Sequence, residues 1–141
     1  TSRRQRQMCI RDSREGDVVS FADGSPILLC GEAALADLNS RLDAPVPMDR
    51  FRPNLVFGGG APFAEDGFTR LSIGEVAFRN TGPCARCTVT TVDQATGDRG
   101  KEPLTTLATY RKQDDGVVFG VNLVPENTGR VRVGDALKIL A

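Results

Sequence analysis

TGPCARCTVTTVDQATG, running from Thr81 to Gly97, holds two of the chain's four cysteines, with an alanine and an arginine between them. Thr88, Val89, Thr90, Thr91 and Val92 favour a strand, because branched side chains pack well on a pleated surface. Gln94, Ala95, Thr96 and Gly97 then read as a turn. Side chains alternate between the two faces of a strand. Cys84 and Cys87 are three apart, so in one continuous strand they point to opposite sides and cannot chelate one metal together. The natural chemical unit is a single cysteine backed by polar neighbours.

Composition narrows the rest. The 141 residues suffice for one domain with its own core, and 40% of them are hydrophobic, a globular balance. A formal net charge of zero argues against a general nucleic-acid binder, and the absence of Trp against a base-stacking platform. No apolar run approaches the length of a membrane span, and no signal peptide is visible. Histidine is absent, so Ser-His-Asp and Cys-His catalysis are excluded within the chain. Four cysteines do not make a dense disulfide framework. They read as reduced, and the compartment as cytoplasmic.

Three ordinary readings of the cysteine pair stay open on spacing alone. A zinc site needs four ligands, and no second CxxC is present. A redox pair needs its CxxC at a helix N-terminus, where β-branched residues stand instead. Two inert buried cysteines are the simplest reading.

MDRFRPNLVF, Met48 to Phe57, is the second informative stretch. Read as a strand, it places Arg50, Arg52 and Asn54 on one face and Phe51, Leu55 and Phe57 on the other. Two guanidiniums and an amide together suit an anion such as phosphate. Pairing of the arginines with surface carboxylates is the alternative. Pro53 removes a ladder donor, so the strand is expected to be irregular there.

Elsewhere the pattern is structural. Asp17–Phe21 and Ile27–Cys30 read as short strands around a turn at 22–26. Leu35, Leu38 and Leu42 form one apolar stripe on a helix over Glu32–Leu42. Gly58, Gly59 and Gly60 form a loop, and Phe68–Arg79 a hairpin turning at Gly74-Glu75. Glu65 and Asp66 could be a paired acid and base; a structural or exposed role is favoured, since nothing nearby would raise a pKa. Lys101–Lys112 reads as a helix beginning near Pro103. Gly116–Val124 reads as a strand with Gly120 marking a break or close backbone approach. Thr128–Leu140 reads as two short strands around a Gly134-Asp135 turn, suited to closing a small barrel. Residues 1–16 are basic and without apolar periodicity, and MCIRDS (Met8–Ser13) resembles translated sequencing adapter. This segment is expected to be foreign or disordered, with Cys9 carrying no function.

Pro83, Cys84, Arg86, Cys87, Thr90, Thr91, Val92, Asp93 and Gly97, together with the FRPN string Phe51, Arg52, Pro53 and Asn54, resemble the MOSC domain family (molybdenum cofactor sulfurase C-terminal). The branch is that of the mitochondrial amidoxime-reducing component and its bacterial relatives. Both strings occur in order, and the likeness runs from about Val19 to Leu140. The resemblance implies a mainly β, barrel-like fold with two or more packing helices over residues 17–141. It implies a molybdenum–molybdopterin cofactor with Cys87 as metal ligand and catalytic centre. It implies cofactor contacts from Asp23, Gly24, Ser25, Arg52, Asn54, Cys84, Ala85, Arg86 and Asn122, the last replacing a tyrosine usual in the animal branch. The implied reaction is reduction of N-hydroxylated small molecules. Electrons would come from an iron–sulfur, cytochrome or flavin partner, with neither nucleic acid nor membrane as a partner. The family's enzymes carry a preceding β-rich domain, so the chain is expected to be a fragment of a longer protein. A non-catalytic cofactor or sulfur carrier, holding a persulfide on Cys87, is the alternative. A plain structural β-domain is the third reading.

Overall fold

The run Ile27–Gly31 is apolar at every position because both of its faces are covered. Ile27 and Leu29 point into one core, and Leu28 and Cys30 into another. A computed structural model describes residues 8–13, 18–21, 26–113 and 116–141 of the chain. In chain order its strands and α-helices are β1 (Met8–Ser13), β2 (Val18–Phe21), β3 (Ile27–Gly31), α1 (Glu32–Ser40), β4 (Leu55–Gly58), β5 (Arg70–Ile73), β6 (Val76–Ala85), α2 (Leu104–Ala108), β7 (Lys112–Gln113), β8 (Gly116–Pro125), β9 (Gly129–Arg132) and β10 (Ala136–Ile139). Single 3-10 turns occupy Met48–Phe51, Ala64–Gly67 and Thr88–Thr91.

Seven strands run in the order β3-β4-β1-β10-β5-β6-β8, and β3 pairs back onto β8, closing a barrel. Closure removes the open edges of the ring. The expected mainly β barrel is therefore what the chain forms. Its interior is filled by Ile10, Leu29, Leu55, Phe57, Leu71, Ile73, Phe78, Val121 and Leu123, all nearly or fully buried. A second core lies outside the barrel wall, where α1 and α2 cover β3 and β8. Leu38, Phe51, Leu107 and Phe119 meet there, and the Phe51 and Phe119 rings stack with centroids 4.0 Å apart.

Gly120 lies where these two cores meet, on β8. Its φ is +81°, and a Cβ built on it would sit 2.8 Å from the Cys30 Sγ and 3.1 Å from the Leu29 carbonyl oxygen. The residue does not break the strand; it permits the close approach of β3 that seals the barrel.

Several expectations need correction. Met8–Ser13, expected to lie in a disordered or foreign segment, is ordered as β1. It pairs with β4 and β10, and Ile10 fills the barrel. Met48–Phe57 is not one strand, because only Leu55–Gly58 is extended. Thr88–Thr91 is a 3-10 turn and not a strand. The helix expected over Lys101–Lys112 shrinks to Leu104–Ala108, and Lys112–Gln113 is extended. β9 and β10 flank the Gly134-Asp135 turn but do not pair with each other: β9 joins β2, and β10 joins β1 and β5. The helix α1 and the hairpin turning at Gly74-Glu75 stand as expected.

Candidate functional site

The FRPN string forms a tight reversal. Arg50 N–H donates to the Pro47 carbonyl, and Arg52 N–H to the Asp49 carbonyl, at 3.3 and 3.2 Å. Arg52 itself is left-handed, with φ 51° and ψ 49°, a conformation that costs a side-chain-bearing residue about 1 kcal/mol or more. The reversal brings Asn54 onto β3. There Asn54 N–H donates to the Leu28 carbonyl at 2.9 Å, and Asn54 Oδ1 accepts from Leu28 N–H at 2.8 Å. The asparagine thus extends the parallel β3–β4 pairing by one step before Leu55 enters the ladder. Arg50, Arg52 and Asn54 therefore do not share a strand face. Arg50 turns inward with its side chain 13% exposed. Arg52 stays exposed and lines a cleft of about 360 Å³ with Asp12, Asp49, Pro53 and Gln94.

The cysteine stretch begins as strand and ends as turn. β6 carries Cys84 and stops at Ala85, whose register partner on β8 is Val118. Cys84 is half-buried and packs against the outer core. Arg86 N–H donates to the Val117 carbonyl at 2.6 Å. Cys87 is extended and exposed, immediately before the turn Thr88–Thr91. Its carbonyl accepts both the Thr90 N–H, at 3.2 Å, and the Thr90 hydroxyl, at 2.9 Å. Thr91 hydroxyl donates to the Thr88 carbonyl in the same way, at 2.6 Å. Threonine hydroxyls that bond the backbone locally compete with strand ladders, which is why a β-branched run curls here.

The two stretches touch. The Arg86 guanidinium gives Nη2 to the Phe51 carbonyl at 2.6 Å and Nη1 to the Cys84 Sγ at 3.2 Å. Its Nε is buried without a hydrogen-bond partner among the described residues. Gln94 Nε2 donates to the Asp49 carbonyl at 2.7 Å. Asn122 sits on β8 between its register partners Leu28 of β3 and Gly82 of β6, half-buried, and its carbonyl accepts the Thr81 hydroxyl at 3.1 Å. Of the expected site residues, Arg52, Cys84, Ala85, Arg86 and Cys87 gather at the contact of the FRPN turn with the cysteine loop. Asn54 and Asn122 meet through Leu28. Asp23, Gly24 and Ser25 lie outside the described residues.

Glu65 was not legible as a buried group. It is fully buried, its Oε2 accepts Gly31 N–H at 3.0 Å, and its Oε1 has no hydrogen-bond partner among the described residues. Burial pushes its carboxyl above the ordinary range, with the Asp66 charge adding to this. The expectation that nothing would raise a pKa there is thus overturned by tertiary packing. Asp66 instead pairs with Arg111 at 2.7 Å, and that guanidinium lies 4.0 Å over the Phe63 ring. Cys30, fully buried in the outer core, has its thiol pushed up by burial.

Among the described residues no group of three or more His, Cys, Asp and Glu side chains is gathered, and no helix is long and apolar enough to cross a membrane.

Comparison with known proteins follows the same lines. The MOSC domain profile matches residues 16–138. Mitochondrial amidoxime-reducing component 1 of Homo sapiens is 43% identical over 136 residues, covering 90% of this chain and 40% of that protein. Mitochondrial amidoxime reducing component 2 of Rattus norvegicus is 46% identical over 127 residues, covering 83% and 37%. Molybdenum cofactor sulfurase of Oryza sativa subsp. japonica is 40% identical over 116 residues, covering 74% and 14%. The chain therefore spans about 40% or less of the length of these relatives. The crystal structure of YiiM from Geobacillus stearothermophilus superposes with a TM-score of 0.61 at 14% identity, over 88% of this chain and 60% of that one, a likeness of fold. With a profile match over nearly the whole barrel and these relatives beside it, the chain belongs to the MOSC domain family.

Proposed function

We propose that the chain binds a molybdenum–pterin cofactor through the Cys87 thiolate, as the cofactor-binding domain of an oxidoreductase acting on N-hydroxylated small molecules. The observation that carries this reading is the contact between the FRPN turn and the cysteine loop, made by the Arg86 Nη2–Phe51 carbonyl bond at 2.6 Å. It brings an exposed thiol and an exposed guanidinium onto segments that are remote in sequence and joined in space.

The donor set fits such a group. Cys87 is a soft ligand in the open, on a backbone held at both sides. With no cluster of protein ligands among the described residues, a metal on Cys87 would draw its remaining donors from the cofactor. Arg52, beside its cleft, would neutralise an anionic arm of the cofactor. Asn54 has its oxygen committed to Leu28 N–H and would offer its amide N–H groups. Arg86, spent on Phe51 and Cys84, would hold the loop in place. Asp23, Gly24, Ser25, Ala85 and Asn122 complete the proposed contacts. When bound, the group would supply two-electron redox chemistry at an open metal position. Electrons would come from an iron–sulfur, cytochrome or flavin partner.

The test is the metal and pterin content of the chain from a molybdenum-replete host, for the native sequence and for Cys87→Ala. Molybdenum with pterin in the first and its loss in the second support the reading. Equal molybdenum in both refutes Cys87 as ligand. The likeness to a molybdenum cofactor sulfurase favours a second reading, a sulfur or cofactor carrier with a persulfide on Cys87. It predicts a cyanide-releasable sulfur on Cys87 and no reductase activity with a supplied electron donor.

A further inference from the structure

Two arginines cross between the FRPN turn and the cysteine loop in opposite directions. Arg86, on the loop, reaches the carbonyl of Phe51 on the turn. Arg50, on the turn, reaches the loop: its Nη1 donates to the Thr90 carbonyl at 3.3 Å and to the Glu102 carbonyl at 3.5 Å, and its Nη2 lies 4.0 Å from Asp93. Neither the zinc, the redox nor the phosphate reading of the sequence gives Arg50 this task.

The bonding continues beyond Arg50. Thr90 is fully buried, and its N–H and hydroxyl both bind the Cys87 carbonyl. Arg50 therefore holds the residue that holds Cys87. A guanidinium at the C-terminal end of a helical turn also meets the carbonyl-rich pole of that turn, which favours the cation. Five donors in a rigid plane let one side chain serve two carbonyls and a carboxylate at once, which an ammonium cannot reproduce. Cys87 is exposed, and its carbonyl is held by Thr90. Its backbone is held, and Arg50 and Arg86, beside the Gln94–Asp49 bond, are guanidinium ties that fix that backbone relative to the turn bearing Arg52.

We propose that Arg50 is a positioning residue for Cys87, acting through Thr90, and that with Arg86 it forms a reciprocal clamp setting the separation of the thiol from Arg52. The proposal rests on the reading of Cys87 as a metal ligand, and its test has one arm that does not. In the cofactor-free chain, amide exchange at Thr90 should quicken by about tenfold or more in Arg50→Met, while amides of the β5–β10 pair keep native rates. Arg50→Lys should show the same direction with a smaller change, and it carries the test should Arg50→Met not fold. Native exchange at Thr90 in both variants overturns the clamp.

In chain from a molybdenum-replete host, Arg50→Met should lose most of its metal, and Arg50→Lys should hold metal with an altered electron paramagnetic resonance signal. A purely structural role would leave that signal unchanged. Native metal content and signal in both variants overturn the clamp and leave the Cys87 reading standing. No molybdenum in the native chain overturns the Cys87 reading, and the exchange arm then decides the clamp.

Discussion

Replacing Gly120 with alanine tests the claim that barrel closure depends on one missing side chain. The added Cβ would lie 2.8 Å from the Cys30 Sγ, 2.9 Å from Leu28 Cδ1 and 3.1 Å from the Leu29 carbonyl oxygen. Real Cβ atoms essentially never come as close as the first two, and the third, tighter than most, is to backbone in the β3–β8 seam. The backbone conformation adds its own cost, because φ is +81°. Gly97 separates the two costs. Its φ is +77°, and a Cβ there meets nothing within 4 Å. Gly97→Ala should therefore cost only the left-handed strain, about 1–2 kcal/mol. Gly120→Ala should cost that plus overpacking of about 1–3 kcal/mol. The reduced freedom of the unfolded chain is common to both and cancels. At roughly 4 °C per kcal/mol for a domain of this size, the two melting temperatures should differ by about 4–12 °C. Denaturant unfolding of both variants gives the same difference as free energy. Adding Cys30→Ala to Gly120→Ala should recover part of the loss, a coupling of about 1 kcal/mol. Equal cost at Gly97 and Gly120 would refute the packing argument.

Other outcomes follow from groups already described. The folded chain keeps the Glu65 proton at pH values where the unfolded chain, near the ordinary value of 4.5, has released it. The folded state then binds more protons, so stability is fullest below that value and falls as pH rises through the raised one. Glu65→Gln should flatten this fall in denaturation measured across acid to neutral pH, and an unchanged slope would remove Glu65 as its source. Tyr110 is the chain's single tyrosine, and burial, helped by the Asp37 charge, pushes its phenol up to about 12. Ultraviolet titration of phenolate should show a midpoint well above 10, and an ordinary midpoint would place the ring in solvent. Asn54→Ala leaves Leu28 N–H without its acceptor, which should cost about 1–2 kcal/mol and speed amide exchange at Leu28. Loss of stability without faster exchange there would point to another cause.

The sequence was most readable where one rule acted alone. Ile27–Cys30 is apolar throughout because two cores enclose it, and Leu35 and Leu38 mark one face of α1, with Leu42 packing just beyond its end. It misled where two local rules competed. MDRFRPNLVF alternates polar and apolar residues as a strand does, yet Asn54 has to reach Leu28, and Pro53 follows a left-handed Arg52 that turns the chain. TVTTV carries strand-forming residues, yet the Thr90 and Thr91 hydroxyls close onto carbonyls three residues earlier. The two strings that marked the site were legible as strings. Their contact was not, because nothing local tells that Arg86 reaches the Phe51 carbonyl or Arg50 the Thr90 carbonyl. Burial of Glu65 likewise depends on Gly31, 34 positions away in sequence. Met8–Ser13 is misread because MCIRDS resembles translated adapter, and a six-residue strand with one deeply buried side chain carries almost no periodic signal to argue otherwise.

The place of β10 bears on how the molecule is made. Ala136–Ile139 lies between β1 and β5, although it is the last of the ring's strands to leave the ribosome. Until it arrives, β1 and β5 each present an unpaired edge, and the apolar side chains of the ring, Ile10, Leu71 and Ile73 among them, lack their final cover. Such long-range pairing slows folding, since distant segments must meet before they are rewarded. Nascent chains halted before Ala136 should thus be sticky and protease-sensitive, and chaperone demand should fall abruptly once those four residues emerge.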